Sequence, residues 1–262
     1  MEDLEKEVNR GIHKTFRKRL WSPFIRALKD YRLVEEGDKI AVCISGGKDS
    51  MCLAKLMQIL QRVSEVSFEV IYLVMDPGYT EENRQKIIEN AKLLGIPIEI
   101  FVSRIFAIAE RQKTSPCYVC ARMRRGALYS EAKKRGCNKI ALGHHMNDVI
   151  ETTLLGMFYA SKLEGMRPKL ASQNYEGMEL IRPLYCVKEE DIIAWKDYYH
   201  LEFLQCACRF TERSEREDLS KRKEVKKLIQ EMKKDNPMVE HNIFLSLHKV
   251  MSDTFPHIEE ES

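Results

Sequence analysis

The chain has 262 residues, 44% of them hydrophobic and 32% charged, and 43 Lys and Arg against 40 Asp and Glu leave a formal net charge of +3. That is enough apolar content to bury a substantial core, and too mild a charge to announce a nucleic-acid partner by composition alone. No run reaches the roughly 20 apolar residues of a membrane helix, and the charged start MEDLEKEVNRGIHKTFRKRL lacks the apolar centre of a signal peptide, so a cytoplasmic protein with no membrane partner is expected.

In chain order, residues 4–30 predict one or two helices ending before the polar turn VEEGDK. Apolar runs at 39–44, 68–75, 98–102 and 139–142, with a weaker one at 180–184, predict strands buried on both faces. Helical patterns at about 50–63, 81–94, 118–135 and 146–160 fall between them. The alternation predicts an α/β fold, a parallel sheet with helices on both faces and right-handed crossovers. Further helices are expected at 188–200 and 215–234, the second polar nearly all round, and the last residues, HIEEES, read as a frayed tail. The expected division is an N-terminal helical segment (1–36), a central domain (37–210) and a basic C-terminal helical segment (211–262).

Ligands of such sheets sit beyond the carboxyl ends of the strands. Three polar loops fall at that edge. SGGKDS (45–50) follows the first strand and opens a helix, where unpaired backbone N–H groups favour an anion and glycines allow close approach. An ordinary strand-to-helix loop capped by Asp49 or Ser50 is the plainer alternative. The spacing matches neither the Walker A loop nor G-x-G-x-x-G. MDPGYT ends the second strand with Asp76, which suits a ribose or Mg2+ contact, or simply the start of a turn. GHHMND follows the fourth with Gly143, His144, His145 and Asp148, and Glu151 lies just beyond. These side chains fit a helix cap and polar rim as well as a metal site.

Local basic clusters occur in HKTFRKRL near the start, CARMRRG (120–126), EAKKRG (131–136) and SKRKEVKKL (220–228), and their meaning depends on where the fold places them. Eight cysteines in a cytosolic chain argue against a disulfide framework. Cys43, Cys52 and Cys137 read as small core residues. Cys117 and Cys120 form C-x-x-C, and Cys206 and Cys208 form C-x-C. A redox pair, a four-cysteine zinc knuckle and an iron–sulfur site are all compatible with these spacings.

SGGKDS directly after the first strand resembles the PP-loop of ATP pyrophosphatases. With VEEGDKIAVCISGGKDS, the C-x-x-C segment, GHHMNDVIETTLLGMFY, RPKL and IRPL in order, most of residues 30–210 resemble the tRNA 2-thiocytidine synthetase branch of that superfamily. The resemblance implies a Rossmann-like, adenine nucleotide alpha hydrolase-like fold. It implies ATP held by Ser45, Gly46, Gly47, Lys48, Asp49 and Ser50, with Gly143, His144 and Asp148 on the nucleotide side; Asp76, from its place at the end of the second strand, is a further nucleotide-side candidate, and Mg2+ would balance the phosphates. Asp49, Asp148 and Arg125 are the catalytic candidates, and Arg122, Arg124 and Arg125 suit RNA phosphates or the charge developing on adenylation. It further implies a [4Fe-4S] cluster held by three cysteines with one iron open. Cys117 and Cys120 match the family pattern directly. At the later site the family commonly shows C-x-x-C, and aligning on the apolar residues before it selects Cys206, with Cys208 as the alternative. The implied activity is ATP-dependent thiolation of an anticodon-loop cytidine in tRNA. A cysteine desulfurase or other sulfide source is the implied second partner, and a homodimer is an open expectation. The competing functions are another PP-loop thiolation or desulfuration of a tRNA base, and a non-catalytic, zinc-stabilised RNA-binding protein.

Overall fold

Runs of Val, Ile and Leu that can pack on both faces form the middle of the sheet. They are β1 (Lys39–Ile44), β2 (Glu69–Asp76) and β4 (Lys139–Ala141). The computed structural model of the chain describes residues 2–103, 105, 106, 116–204 and 216–254. With β3 (Ile98–Val102), β5 (Lys169–Ala171) and β6 (Glu179–Ile181), these strands form a six-stranded sheet of order β3-β2-β1-β4-β6-β5. Every described pairing is parallel except β5 with β6. From β1 the chain first builds outward through β2 and β3, then crosses back to place β4 on the other side of β1. The strand order therefore reverses between β1 and β4, the position at which doubly wound sheets open a crevice at their carboxyl edge.

The structure corrects the strand expectations at the margins. β5 is an additional antiparallel strand, three residues long with Leu170 exposed, so it offers no apolar run to detect. The expected strand at 180–184 ends at Ile181, before Pro183, which cannot donate to a ladder. The edge strand β3 alternates in exposure instead of being buried on both faces.

The N-terminal segment forms α1 (Glu2–His13), a π-helical turn at Arg17–Trp21 and α2 (Ser22–Asp30). The wider turn buries Leu20 and leaves Lys18 and Arg19 outward. Then follow α3 (Lys48–Val63), α4 (Glu81–Leu93), α5 (Pro116–Lys134), α6 (Met146–Tyr159), α7 (Glu189–Tyr198), α8 (Arg216–Asp235) and the further helix α9 (Val239–Ser246). α8 is polar nearly all round, as expected, with Val225 and Ile229, four residues apart, buried on one face. Among the described residues no helix is long and apolar enough to cross a membrane.

The chain divides into two compact units, one of residues 1–146 and 167–217, the other of 147–166 and 218–262. The first contains the sheet. In it Ala41, Cys43, Leu73, Ala132, Cys137, Ile140 and Leu180 pack as one cluster, which places Cys43 and Cys137 in the core as expected; Cys52 is fully buried on α3. In the second, the Glu240 carboxylate accepts hydrogen bonds from Asn147 and Lys233, each at 2.8 Å.

Candidate functional site

The helix after SGGKDS begins at Lys48, with Gly47 in the cap position and no side-chain cap bond. Neither Asp49 nor Ser50 caps it, contrary to the plainer sequence reading. Both lie in the first turn of a 16-residue helix, whose leading N–H groups face the end of β1. Within the loop, the Ser45 N–H donates to Ser50 Oγ at 3.1 Å, the Ser45 hydroxyl donates to the same oxygen at 3.2 Å, and Ser50 donates to the Gly47 carbonyl at 3.0 Å. The two serines thus draw the loop into a tight cradle.

Two glycines make that cradle possible. Gly46 has φ +86°, and a Cβ there would meet the Ile87 side chain at 2.7 Å and Leu204 at 3.0 Å. Gly143, in the loop after β4, passes so close that a Cβ would lie 3.0 Å from Ser50 N and 3.1 Å from the Asp49 carbonyl carbon. The loops after β1 and β4 are therefore in backbone contact where the strand order reverses.

Charges converge on the same turn. Lys48 Nζ lies 3.1 Å from Asp49 and 3.1 Å from Glu189 in the first turn of α7. Burial disfavours the Lys48 ammonium, but the two carboxylates outweigh it and raise its pKa above the ordinary lysine value. His145, buried in the loop after β4, brings Nε2 to 3.7 Å from Asp49 Oδ1. His144 beside it is half-buried. A triphosphate fits this arrangement: a helix start without a side-chain cap, glycines that permit close approach, hydroxyls and one lysine.

Asp76 is buried at the end of β2. Its Oδ1 accepts from the N–H groups of Gly78 and Tyr79 at 2.9 and 2.7 Å, so it does begin a turn, while Oδ2 faces Arg84 at 3.9 Å. Asp148 lies in the first turn of α6, 3.3 Å from Arg222, which also reaches Glu151 at 3.7 Å. Arg222 therefore serves an internal acidic pair, and Lys221 sits 5.6 Å over the Tyr159 ring. Arg122 and Arg125 on α5 are exposed and Arg124 is half-buried.

Cys117 and Cys120 are the second and fifth residues of α5, which begins at Pro116, two residues before the expected start at 118. Three residues apart in a helix is about one turn, a spacing compatible with a shared soft metal centre. Cys206 and Cys208 lie outside the described residues. No group of three or more metal-ligating side chains occurs among the described residues, His144, His145, Asp148 and Glu151 included.

Two contacts at the site are not readable from sequence. Glu189 lies 141 residues from Lys48, and nothing in KEED marks it as that lysine's partner. The Leu204 N–H donates to the Gly46 carbonyl at 3.1 Å, so the stretch leading to the C-x-C is fastened to the loop at 45–50. Asn90 Nδ2 supports the same stretch by donating to the Glu202 carbonyl at 2.9 Å.

Comparison with known proteins matches residues 14–229 to the PP-loop domain family. Over 229 residues, 86% of this chain and 88% of the relative, the sequence is 36% identical to a tRNA-cytidine(32) 2-sulfurtransferase of Geotalea uraniireducens (strain Rf4). It is 35% identical over 251 residues to the protein of that name in Polaromonas naphthalenivorans (strain CJ2), covering 94% of this chain and 77% of the relative. Among solved structures, the U34-tRNA thiolase NcsA from Methanococcus maripaludis with its [4Fe-4S] cluster superposes with a TM-score of 0.66 at 18% identity, over 91% of this chain and 79% of that one, a likeness of fold.

Proposed function

Because the chain belongs to the PP-loop family of tRNA-cytidine(32) 2-sulfurtransferases, we propose that it is an ATP-dependent enzyme that replaces the C2 oxygen of an anticodon-loop cytidine in tRNA with sulfur. The observation that carries this reading is the start of α3 at the strand-order reversal, which has no side-chain cap and gathers the Ser45 and Ser50 hydroxyls and Lys48 around its first N–H groups, a donor set suited to a triphosphate.

In the first step the cytosine C2 oxygen attacks the α-phosphorus of ATP, the bond to the β-phosphate bridge breaks, and pyrophosphate leaves. The loop at 45–50 holds the departing phosphates through its backbone N–H groups, the Ser45 and Ser50 hydroxyls and Lys48, whose ammonium is kept charged by Asp49 and Glu189. Mg2+, when bound with ATP, would offset the triphosphate charge. Asp49 orients Lys48 and His145, and Asp76 and His144 complete the nucleotide side. Arg125 and Asp148 are the further candidates for the charge that develops on adenylation. In the second step sulfide attacks C2, the C2–O bond breaks, and AMP leaves with the oxygen. Activation is required because a bare carbonyl oxygen is a poor leaving group. An anticodon-loop base is accessible because it can be splayed from a single-stranded loop.

Cys117 and Cys120, with Cys206 as the third ligand, would hold a [4Fe-4S] cluster, which supplies an open iron for carrying sulfide. A zinc ion closed by four thiolates has no such position. A cysteine desulfurase or another sulfide source would be the second partner, in the cytoplasm. The test is to incubate the chain, purified without oxygen, with ATP, sulfide and unmodified tRNA, and to digest the tRNA for mass analysis. The expected product is 2-thiocytidine formed together with AMP and pyrophosphate. Pyrophosphate release without any thiolated nucleoside would overturn the reading.

A further inference from the structure

The basic run HKTFRKRL near the N-terminus has no part in the site described above, yet the fold gives it a definite place. A cavity of about 310 Å³ opens between the π-helical turn, α2 and the start of α7, and Lys18, Arg19, Arg26 and Lys188 line it together with Asp191. Four cations thus stand against one carboxylate in the lining, and that carboxylate is already held by Arg19 at 2.5 Å. Lys18, Arg19 and Arg26 are exposed. The π-helical turn brings Lys18 and Arg19 to the rim while Leu20 anchors it in the core. Such turns occur often at functional positions.

The location matters as much as the charge. Lys188 and Asp191 flank the first turn of α7, and Glu189 between them holds Lys48 of the phosphate loop at 3.1 Å. The cavity and the loop therefore share one helical turn within the same compact unit.

We propose that this cavity is a binding site for a backbone phosphate of the RNA substrate, fixing the single-stranded loop beside the nucleotide site. This deepens the sulfurtransferase reading and rests on it. Guanidinium and ammonium groups match phosphate oxygens, Arg in fork geometry and Lys as a point charge. Phosphate contacts of this kind set register without reading sequence, as needed to bring one base of a flexible loop to a fixed reacting atom.

The test measures tRNA binding between 50 and 200 mM salt for the parent and for the double variants K18E/R26E and K18Q/R26Q, with ATP affinity and thermal unfolding followed in parallel. The expected result is weakening of tRNA binding by about tenfold or more. In the neutral pair the slope of log affinity against log salt should also fall by roughly 0.7 per lost phosphate contact. ATP affinity and melting temperature should stay at the parent's values. The Gln pair decides the matter if the Glu pair folds poorly. Variants that bind tRNA like the parent, with the same slope, overturn the proposal alone. Variants that lose ATP affinity and keep tRNA binding overturn it in favour of a nucleotide subsite. A parent chain that binds no tRNA overturns the sulfurtransferase reading, and this site with it.

Discussion

The Gly46 carbonyl accepts a hydrogen bond from the Leu204 N–H at 3.1 Å. A trans peptide is planar, with its C=O and N–H pointing opposite ways. Fixing the Gly46 carbonyl toward Leu204 therefore aims the Gly47 N–H away from it. The strap at 201–204, itself held by Asn90, thus fixes the orientation of the Gly46–Gly47 peptide, and the next residues along the chain lead to Cys206.

Gly143→Ala should damage that cradle from the other side. The added methyl would sit 3.0 Å from Ser50 N and 3.1 Å from the Asp49 carbonyl carbon, both backbone atoms that cannot rotate away. Overpacking of this kind costs on the order of 1–3 kcal/mol. We expect a lower melting temperature and a rise in KM for ATP larger than the fall in kcat. An unchanged KM would show that the loop after β4 does not shape the nucleotide site.

Asp49→Ala and Ser50→Ala should each cut pyrophosphate release by roughly 10²-fold, the scale of losing one aligned electrostatic group in a reacting site. Asp49 organises Lys48 and His145, and Ser50 Oγ ties Ser45 to Gly47. Circular dichroism should show the parent's fold in both variants. Full turnover in either one would remove the catalytic assignment of this loop.

How far sequence carried the argument depended on the range of each interaction. The strand, loop and helix over 39–63 were legible because apolar periodicity, glycines and the helix start are local signals. Six-residue β1 has five buried positions in a row, whereas three-residue β5 has none. α8 is polar over most of its described surface, as expected, and its narrow apolar face is carried there by Val225 and Ile229 amid many lysines. Glu189 and Leu204 were invisible because their partners are set by tertiary folding. The C-x-x-C was legible as chemistry and Cys120 fell within the expected helix, while the start of α5 two residues earlier, which takes in Cys117, was not.

Buried Lys55 makes stability depend on pH in a defined direction. It is fully buried, donates to Gln58 and to the Leu94 carbonyl at 2.8 Å each, and lies 3.7 Å from Glu5. Burial lowers its pKa from 10.5 to about 8, with Glu5 partly opposing the shift. Between these values the unfolded chain holds the proton that the folded chain has released. Stability contributed by this residue therefore rises as pH rises from about 8 to 10.5, and its penalty is fully present below 8. Urea midpoints of the parent, relative to Lys55→Met, should climb across that window and be flat below it. A flat difference throughout would show that Lys55 does not titrate abnormally.

The arginines of α5 and α8 should separate by function. Arg122 and Arg125 are exposed, so R122E/R125E should weaken tRNA binding and lower its salt slope while leaving the melting temperature intact. Arg222 instead holds Asp148 at 3.3 Å and Glu151 at 3.7 Å, and Glu151 is buried. Arg222→Glu should therefore unfold earlier in a thermal scan, whatever its effect on RNA. Equal melting temperatures for the two variants would contradict the internal role of Arg222.

The cysteines give the sharpest division between core and chemistry. Burial pushes the thiols of Cys43 and Cys137 up, to about 12 and about 11, so neither forms a useful thiolate near neutral pH. Cys52 is shifted upward by burial in the same way. Native chain should therefore resist alkylation at these three positions at pH 8, and each Cys→Ala variant should retain any visible iron–sulfur absorption, apart from a loss of stability. Cys117 and Cys120, one turn apart at the start of α5, belong to the other class. Changing either of them or Cys206 to Ala should abolish the charge-transfer absorption, the bound iron and tRNA thiolation together, with ATP affinity retained. At the C-x-C, Cys206→Ala should lose the iron and Cys208→Ala should keep it. The reverse outcome would move the third ligand to Cys208, and retention of iron in both would sink the three-cysteine site. Stoichiometric zinc in the anaerobic protein, with no iron or sulfide, would exclude the open coordination position that sulfide delivery needs.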